Sequence, residues 1–242
     1  MKKENIGYLL LSSLAVLAIV LMLIISPISQ DVSYHNFVDS RVFFGIPNFW
    51  NVISNFPFVI VAFLGFYNLK AIASSRTQYL VFFLGILLIS GGSAYYHLKP
   101  NDNTLVWDRL PMTISFMALL SIIISEFINP KTGWLMLMPL VLLGLLSVQY
   151  WTYSADLRPY LFIQFYPMLA IPVILIFFNS KFNLTIGYWW LLLAYLLAKI
   201  FEHFDNHVYS YFAVSGHTMK HLVSALGLFI LFYSFLKREK IT

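Results

Sequence analysis

The chain has 242 residues, of which 60% are hydrophobic and only 10% charged, with a formal charge of +5 and no cysteine. Soluble domains carry about 25% charged residues, so this composition excludes an ordinary globular enzyme and indicates an integral membrane protein. Without cysteine there are no disulfides, thiolate metal sites or cysteine nucleophiles to consider.

Eight hydrophobic stretches, each near the ~20 residues needed to cross a bilayer, are read at 6–27, 48–69, 79–98, 105–126, 133–152, 160–178, 186–204 and 214–236. They predict an all-α polytopic membrane bundle. The first follows Met1-Lys2-Lys3 and superficially resembles a signal peptide. Its apolar run lasts from Ile6 to Ile25 and no small-x-small cleavage site follows, so a retained span is expected. The connection 28–47, with Asp31, His35, Asp39 and Arg41, is too long for a minimal turn and is expected to form an ordered cap. No linker or convincing internal repeat divides the remainder. The chain is therefore read as an N-terminal helix and loop (1–46) before a seven-helix domain (47–242).

If the spans alternate, Lys2, Lys3, Lys70, Arg76, Lys131, Lys181, Lys237, Arg238 and Lys240 fall on one side, and the other side is nearly balanced in charge. The positive-inside rule then places both termini in the cytoplasm.

That topology brings the polar residues of the spans to one level. His97 ends the third span just before Lys99-Pro100, Asp108 opens the fourth, and His217 and His221 lie in the first turns of the eighth. All four fall in the non-cytoplasmic leaflet, within about two helical turns of depth, roughly 10 Å. The i, i+4 spacing of His217 and His221 puts both imidazoles on one helix face. Such histidines can be interfacial groups bonded to carbonyls. Three converging imidazoles instead suit zinc, leaving a fourth position open for water, and the set is too poor in oxygen for magnesium or calcium.

Asp108 admits three readings. It can be a carboxylate favoured by a helix N-terminus, a partner of adjacent Arg109, although successive helical residues diverge in direction, or a general base and then acid beside a metal-bound water. Ser93, one turn from His97 in Ser90-Gly91-Gly92-Ser93, is either a small packing residue or a hydroxyl donor to a developing oxyanion. Lys199, Glu202, His203, Asp205 and His207 form a second polar group. Lys199 to His203 and Glu202 to Asp205 follow helical spacings, which makes an ion-paired helix end the default; Glu202 or Asp205 could instead orient a ligating histidine. Asp156, Arg158, Tyr160 and Gln164 read as a loop and the helix start after it.

At these residues the chain resembles the alkaline ceramidase family, within a wider group of seven-span membrane hydrolases that includes the progestin and adiponectin receptors. The resemblance rests on Asn48-Phe49-Trp50-Asn51-Val52-Ile53-Ser54-Asn55, the Ser93-x-x-x-His97 step, Asp108-Arg109-Leu110-Pro111-Met112 and Ser215-Gly216-His217-Thr218-Met219-Lys220-His221. It covers roughly 47–236, a seven-helix ceramidase-like core, with the span at 6–27 as an extra N-terminal transmembrane helix. It implies a zinc amidase that splits ceramide-like lipids into a fatty acid and a sphingoid base. His97, His217 and His221 would bind Zn2+, Asp108 would handle protons, and Ser93 would hold the metal-site geometry or the oxyanion. The acidic calcium-binding segment of the eukaryotic enzymes is reduced here to Asp31 and Asp39, and Asn48 precedes Phe49 where an acid is expected. Calcium regulation is therefore not expected. The rival readings are a receptor-like or signalling protein with a structural zinc site, a metal or proton transporter, and a haem protein. A transporter would need a polar track across the bilayer, which the sequence does not offer.

Overall fold

The structure is a computed structural model describing residues 2–72 and 76–241. Among them, helices α1 (Lys3–Ile24), α2 (Phe49–Ile53), α3 (Phe56–Tyr67), α4 (Leu69–Ile72), α5 (Arg76–Leu98), α6 (Asp102–Ile123), α7 (Pro130–Ser154), α8 (Arg158–Phe177), α9 (Ile186–His203), α10 (Asp205–Phe212) and α11 (Gly216–Lys237) follow in order. A 3-10 turn at Val32–His35 and a π turn at Ile124–Ile128 interrupt the connections. The fold is an all-α polytopic bundle, as expected from the composition.

Among the described residues, seven helical segments are long and apolar enough to cross a membrane: Lys3–Ile24, Phe49–Tyr67, Arg76–Leu98, Asp102–Ile128, Pro130–Ser154, Arg158–Phe177 and Gly216–Lys237. The eighth stretch expected from the sequence, 186–204, forms α9 but is not among them, because Lys199, Glu202 and His203 occupy its last turns. Contacts nevertheless carry α9 antiparallel along α11. Gly187 abuts Ser234, Ala194 abuts Gly227, and Glu202 pairs with Lys220, so the two helices share nearly their whole length.

The stretch 48–69 is two helices rather than one. Pro57, in the first turn of α3, has no N–H to donate back to Ile53, so the ladder breaks at Ser54–Asn55 and restarts. Small residues set the closest helix contacts. A Cβ on Gly92 would overlap the carbonyl of Trp107, and one on Gly85 would overlap Ser115, which lets α5 and α6 meet backbone to backbone. Behind this seam Phe83, Ile86, Met117, Ile122, Ile171, Leu231 and Phe235 form the buried core.

Helix α1 lies outside this core, with 6% of its apolar window buried. It packs on α8, where Gly7 meets Phe178 and the Tyr166 hydroxyl donates to the carbonyl of Leu11 at 3.3 Å. Its C-terminal end is clamped: the Arg158 guanidinium donates to the carbonyls of Met22 (2.6 Å) and Ile25, and the Asp156 carboxylate accepts from the N–H of Ile28 at 3.3 Å. The clamp aims the following segment across one end of the bundle.

Candidate metal centre

At that end, three imidazoles converge. One ring nitrogen from each of His97, His217 and His221 lies within 4.8 Å of the others, and all three residues are buried. His97 is in the last turn of α5; His217 and His221 are one turn apart on the first two turns of α11.

The short helix α2 organises them. Asn48 caps it in a left-handed conformation (φ 48°), which asparagine adopts more readily than most residues, and its side-chain amide donates to the carbonyl of His97 at 2.8 Å. One turn on, Asn51 Oδ1 accepts from the hydroxyls of Ser215 (3.0 Å) and Thr218 (2.8 Å), fixing the start of α11. Ser215 also caps that helix by accepting from the N–H of Thr218. Asp205 accepts from the backbone N–H of His217 at 2.9 Å. A Cβ on Gly216 would overlap the carbonyl of Phe201, so only glycine admits this approach.

Ser54 holds the ring of His221. Its hydroxyl oxygen lies 3.2 Å from the carbonyl of Asn51 and 2.8 Å from Nδ1 of His221; with the hydroxyl donating to Asn51, the oxygen accepts from Nδ1–H. The proton assigned to Nδ1 by this network leaves Nε2 with a free lone pair, as a metal-ligating histidine requires. His97 Nε2 and His217 Nε2 are 3.2 Å apart. Two nitrogens bound to one tetrahedral zinc at about 2.0–2.1 Å lie about 3.3–3.4 Å from each other. A hydrogen bond between His97 and His217 would also give that distance, but it would not account for the third imidazole. The all-imidazole donor set suits zinc, and the group could hold a metal ion.

Phe37, from the segment after α1, covers the cluster with its ring centroid 4.7 Å from His97 and 4.8 Å from His217. The same segment is tied down by His35, whose Nδ1 and Nε2 bond to the Tyr96 hydroxyl (2.9 Å) and Asp102 (3.1 Å). Arg41, paired with Asp39 at 2.6 Å, donates to the carbonyl of Ala213 at 2.7 Å.

Beside the cluster a cavity of about 410 Å³ runs into the bundle, with His221, Ser93 and Asp108 in its wall. Gln30, Asp31, Tyr34, Arg109, Lys199, Glu202 and Lys220 line the loop end, and Phe82, Leu119 and Leu228 line the deep end. Leu119 is three helical turns from Asp108, so the apolar part extends about 16 Å. Ser93 and Asp108 reach one wall because Gly92 allows α5 to touch α6 at Trp107–Asp108. Among the described residues five buried side-chain polar atoms lack a partner. Asn55 Oδ1, Arg109 Nη1 and Ser115 Oγ belong to cavity-lining residues, and His97 Nδ1 belongs to the cluster.

The second polar group does form an ion-paired helix end, with Lys199 pairing to Glu202 rather than to His203. Glu202 takes both Lys199 (2.7 Å) and Lys220 (2.8 Å), and Tyr34 donates to it at 3.2 Å. Asp205 holds the backbone of His217, not its ring. Burial, and then the charge of Glu202, push the Tyr34 hydroxyl well above its ordinary pKa, so it stays a donor. Gln30, Tyr34, Phe37 and Ser54, which have no role in the sequence reading, come from a loop and a helix break, where no periodic pattern marks them. Ser54 stood within the Asn48–Asn55 motif, which was its one signal.

A family model described as Ceramidase matches residues 35–186. The matched region contains Ser93, His97 and Asp108 and stops short of His217 and His221. No curated protein matches the sequence.

Proposed function

From the premise that the chain belongs to the ceramidase family, we propose that this membrane hydrolase is zinc-dependent and cleaves the N-acyl amide bond of ceramide-like lipids to a fatty acid and a sphingoid base. The observation that carries this reading is the convergence of three imidazoles, of which His221 lines a long apolar cavity that also presents Ser93 and Asp108. His97, His217 and His221 would hold the metal, which when bound supplies a Lewis acid that polarises the amide carbonyl and acidifies water.

The chain's own residues do the rest. The apolar depth between Phe82, Leu119 and Leu228 takes the acyl chain and leaves the amide at the polar end. Asp108 accepts a proton from the attacking water as the C–O bond forms, then delivers it to the amine nitrogen as the C–N bond breaks. The Ser93 hydroxyl donates to the carbonyl oxygen as charge develops there. Phe37 and the 28–47 segment keep bulk water off the reacting atoms. Loop charges favour cytoplasmic termini and a site in the opposite leaflet, which the substrate reaches sideways from lipid.

Purified protein, assayed by mass spectrometry against ceramides, other acyl-amino lipids and acyl esters, tests the proposal together with elemental analysis. Wild type is expected to release fatty acid and to hold about one zinc per chain; His217→Ala should lose both. Full turnover in His217→Ala would remove the metal mechanism. A zinc-loaded wild type inert towards every lipid amide, but stabilised by a ligand, would favour the receptor-like reading.

A further inference from the structure

Arg109 is 6% exposed and lies inside the bundle, yet among the described residues it makes no ion pair. Its guanidinium carbon lies 4.3 Å from the ring centroid of Trp151 and 4.7 Å from that of Tyr160. These contacts stabilise the charge but accept none of its N–H groups. Gln30 Oε1 accepts from Nη2 at 2.5 Å, and Nη1 has no partner. The other cations of the cavity are spoken for, since Lys199 and Lys220 share Glu202. Asp108 is next in sequence and near enough to feel the Arg109 charge, but successive helical side chains diverge and the two form no ion pair. A buried charge normally has an ion-pair partner and filled hydrogen bonds; this one has no ion pair and an unfilled Nη1, and it lines a cavity.

We infer that Arg109, held by Gln30, is a head-group subsite for an anion carried on the amine half of the substrate. This rests on the amidase reading above. The acyl chain occupies the apolar depth, so a group attached through the amide nitrogen lies towards the loop end, where Gln30, Tyr34 and Arg109 are found. A neutral hydroxyl would fill the bond at Nη1 but leave the charge uncompensated, whereas a carboxylate or phosphate does both. Gln30 comes from the segment positioned by α1 and the Asp156–Arg158 clamp. The extra helix is thereby coupled to substrate choice.

The test uses full-length protein in nanodiscs and four amides of one acyl length: N-palmitoylglycine, N-palmitoylethanolamine, a C16 ceramide and its 1-phosphate. Wild type is expected to favour an anionic amide over its neutral counterpart by about 10- to 100-fold in kcat/KM. Arg109→Gln should abolish that preference through KM, leaving kcat for the neutral amides little changed. Arg109→Lys should restore part of it, and Gln30→Ala should weaken it by about threefold. Preference in the glycine arm alone names a carboxylate, and in the ceramide arm alone a phosphate. Equal kcat/KM for anionic and neutral amides in wild type, or equal losses on both in Arg109→Gln, would overturn the subsite. If wild type cleaves no amide, the amidase reading fails by itself. The subsite is then read from dissociation constants for N-palmitoylglycine and N-palmitoylethanolamine, where a preference sensitive to Arg109→Gln upholds it and equal affinities refute it.

Discussion

Two buried polar clusters sit at opposite ends of this bundle, and they are built to different rules. Away from the histidines, Glu126 in the π turn pairs with Arg238 at 2.7 Å and accepts from the hydroxyls of Tyr188 (2.7 Å) and Tyr79. Arg238 also donates to Tyr79 and stacks between Phe182 (4.2 Å) and Phe235 (4.6 Å). Opposite charges are matched there, Arg238 Nε alone lacks a partner, and the side chains close with no cavity volume. The histidine end instead gathers like groups, leaves cavity-lining polar atoms without partners and keeps about 410 Å³ open beside them. Polar burial by itself therefore says little about chemistry. Polar groups that the fold brings together without satisfying them, next to room for a ligand, say much more.

The sharpest way to break this contrast is to exchange the expected losses. Asp108→Asn should lower kcat by about 10²- to 10⁴-fold, the range for removing a general acid–base, with zinc content and Tm near wild type. Glu126→Gln should do the reverse. A neutral amide leaves the buried Arg238 charge unpaired, and breaking a buried pair costs about 3–5 kcal/mol. Thermal or denaturant unfolding in detergent should show that loss, while turnover per folded molecule and metal stoichiometry stay unchanged. Loss of zinc in Glu126→Gln, or of stability in Asp108→Asn, would erase the division between the two ends.

The histidine end was the more legible of the two, for a physical reason. Helical periodicity reports which residues share a face, so the spacing of His217 and His221 and the depth of His97 and Asp108 could be read directly. What holds them could not. Asn48, Asn51 and Ser54 act through a broken helix whose hinge depends on Pro57, and Phe37 and Gln30 act from a segment placed by the docking of α1. Pairings over more than 100 residues, such as Glu126 with Arg238 or Ile28 with Asp156, leave no periodic trace. The same limit explains α9. Its polar last turns weaken it as a span while supplying Lys199 and Glu202 to the cavity.

Ser54 gives a smaller and more specific test. If it fixes the His221 tautomer, Ser54→Ala should keep all three imidazoles but weaken zinc affinity by about 10- to 100-fold, the usual cost of losing an outer-shell partner. Competition with a chromophoric chelator measures this, and activity should return when zinc is added in excess. Unchanged affinity would mean that helix geometry alone orients His221.

The smallest effect is expected at the Asp156–Arg158 clamp, where the histidine end depends on a group outside the spans. The Arg158 guanidinium, assisted by backbone N–H groups, holds the Asp156 carboxyl below its ordinary pKa. A carboxyl depressed in the folded state stabilises it fully above the unfolded value of about 3.9, and that stability is lost as pH falls through the lowered native value. Asp156→Asn cannot titrate. It should cost about 1 kcal/mol or less at neutral pH, flatten the loss of Tm on the acid side, and raise hydrogen exchange in residues 25–35 without altering the Glu126 end. An acid slope that survives in the variant would place the pH sensitivity elsewhere and detach α1 from the site it is positioned to cover.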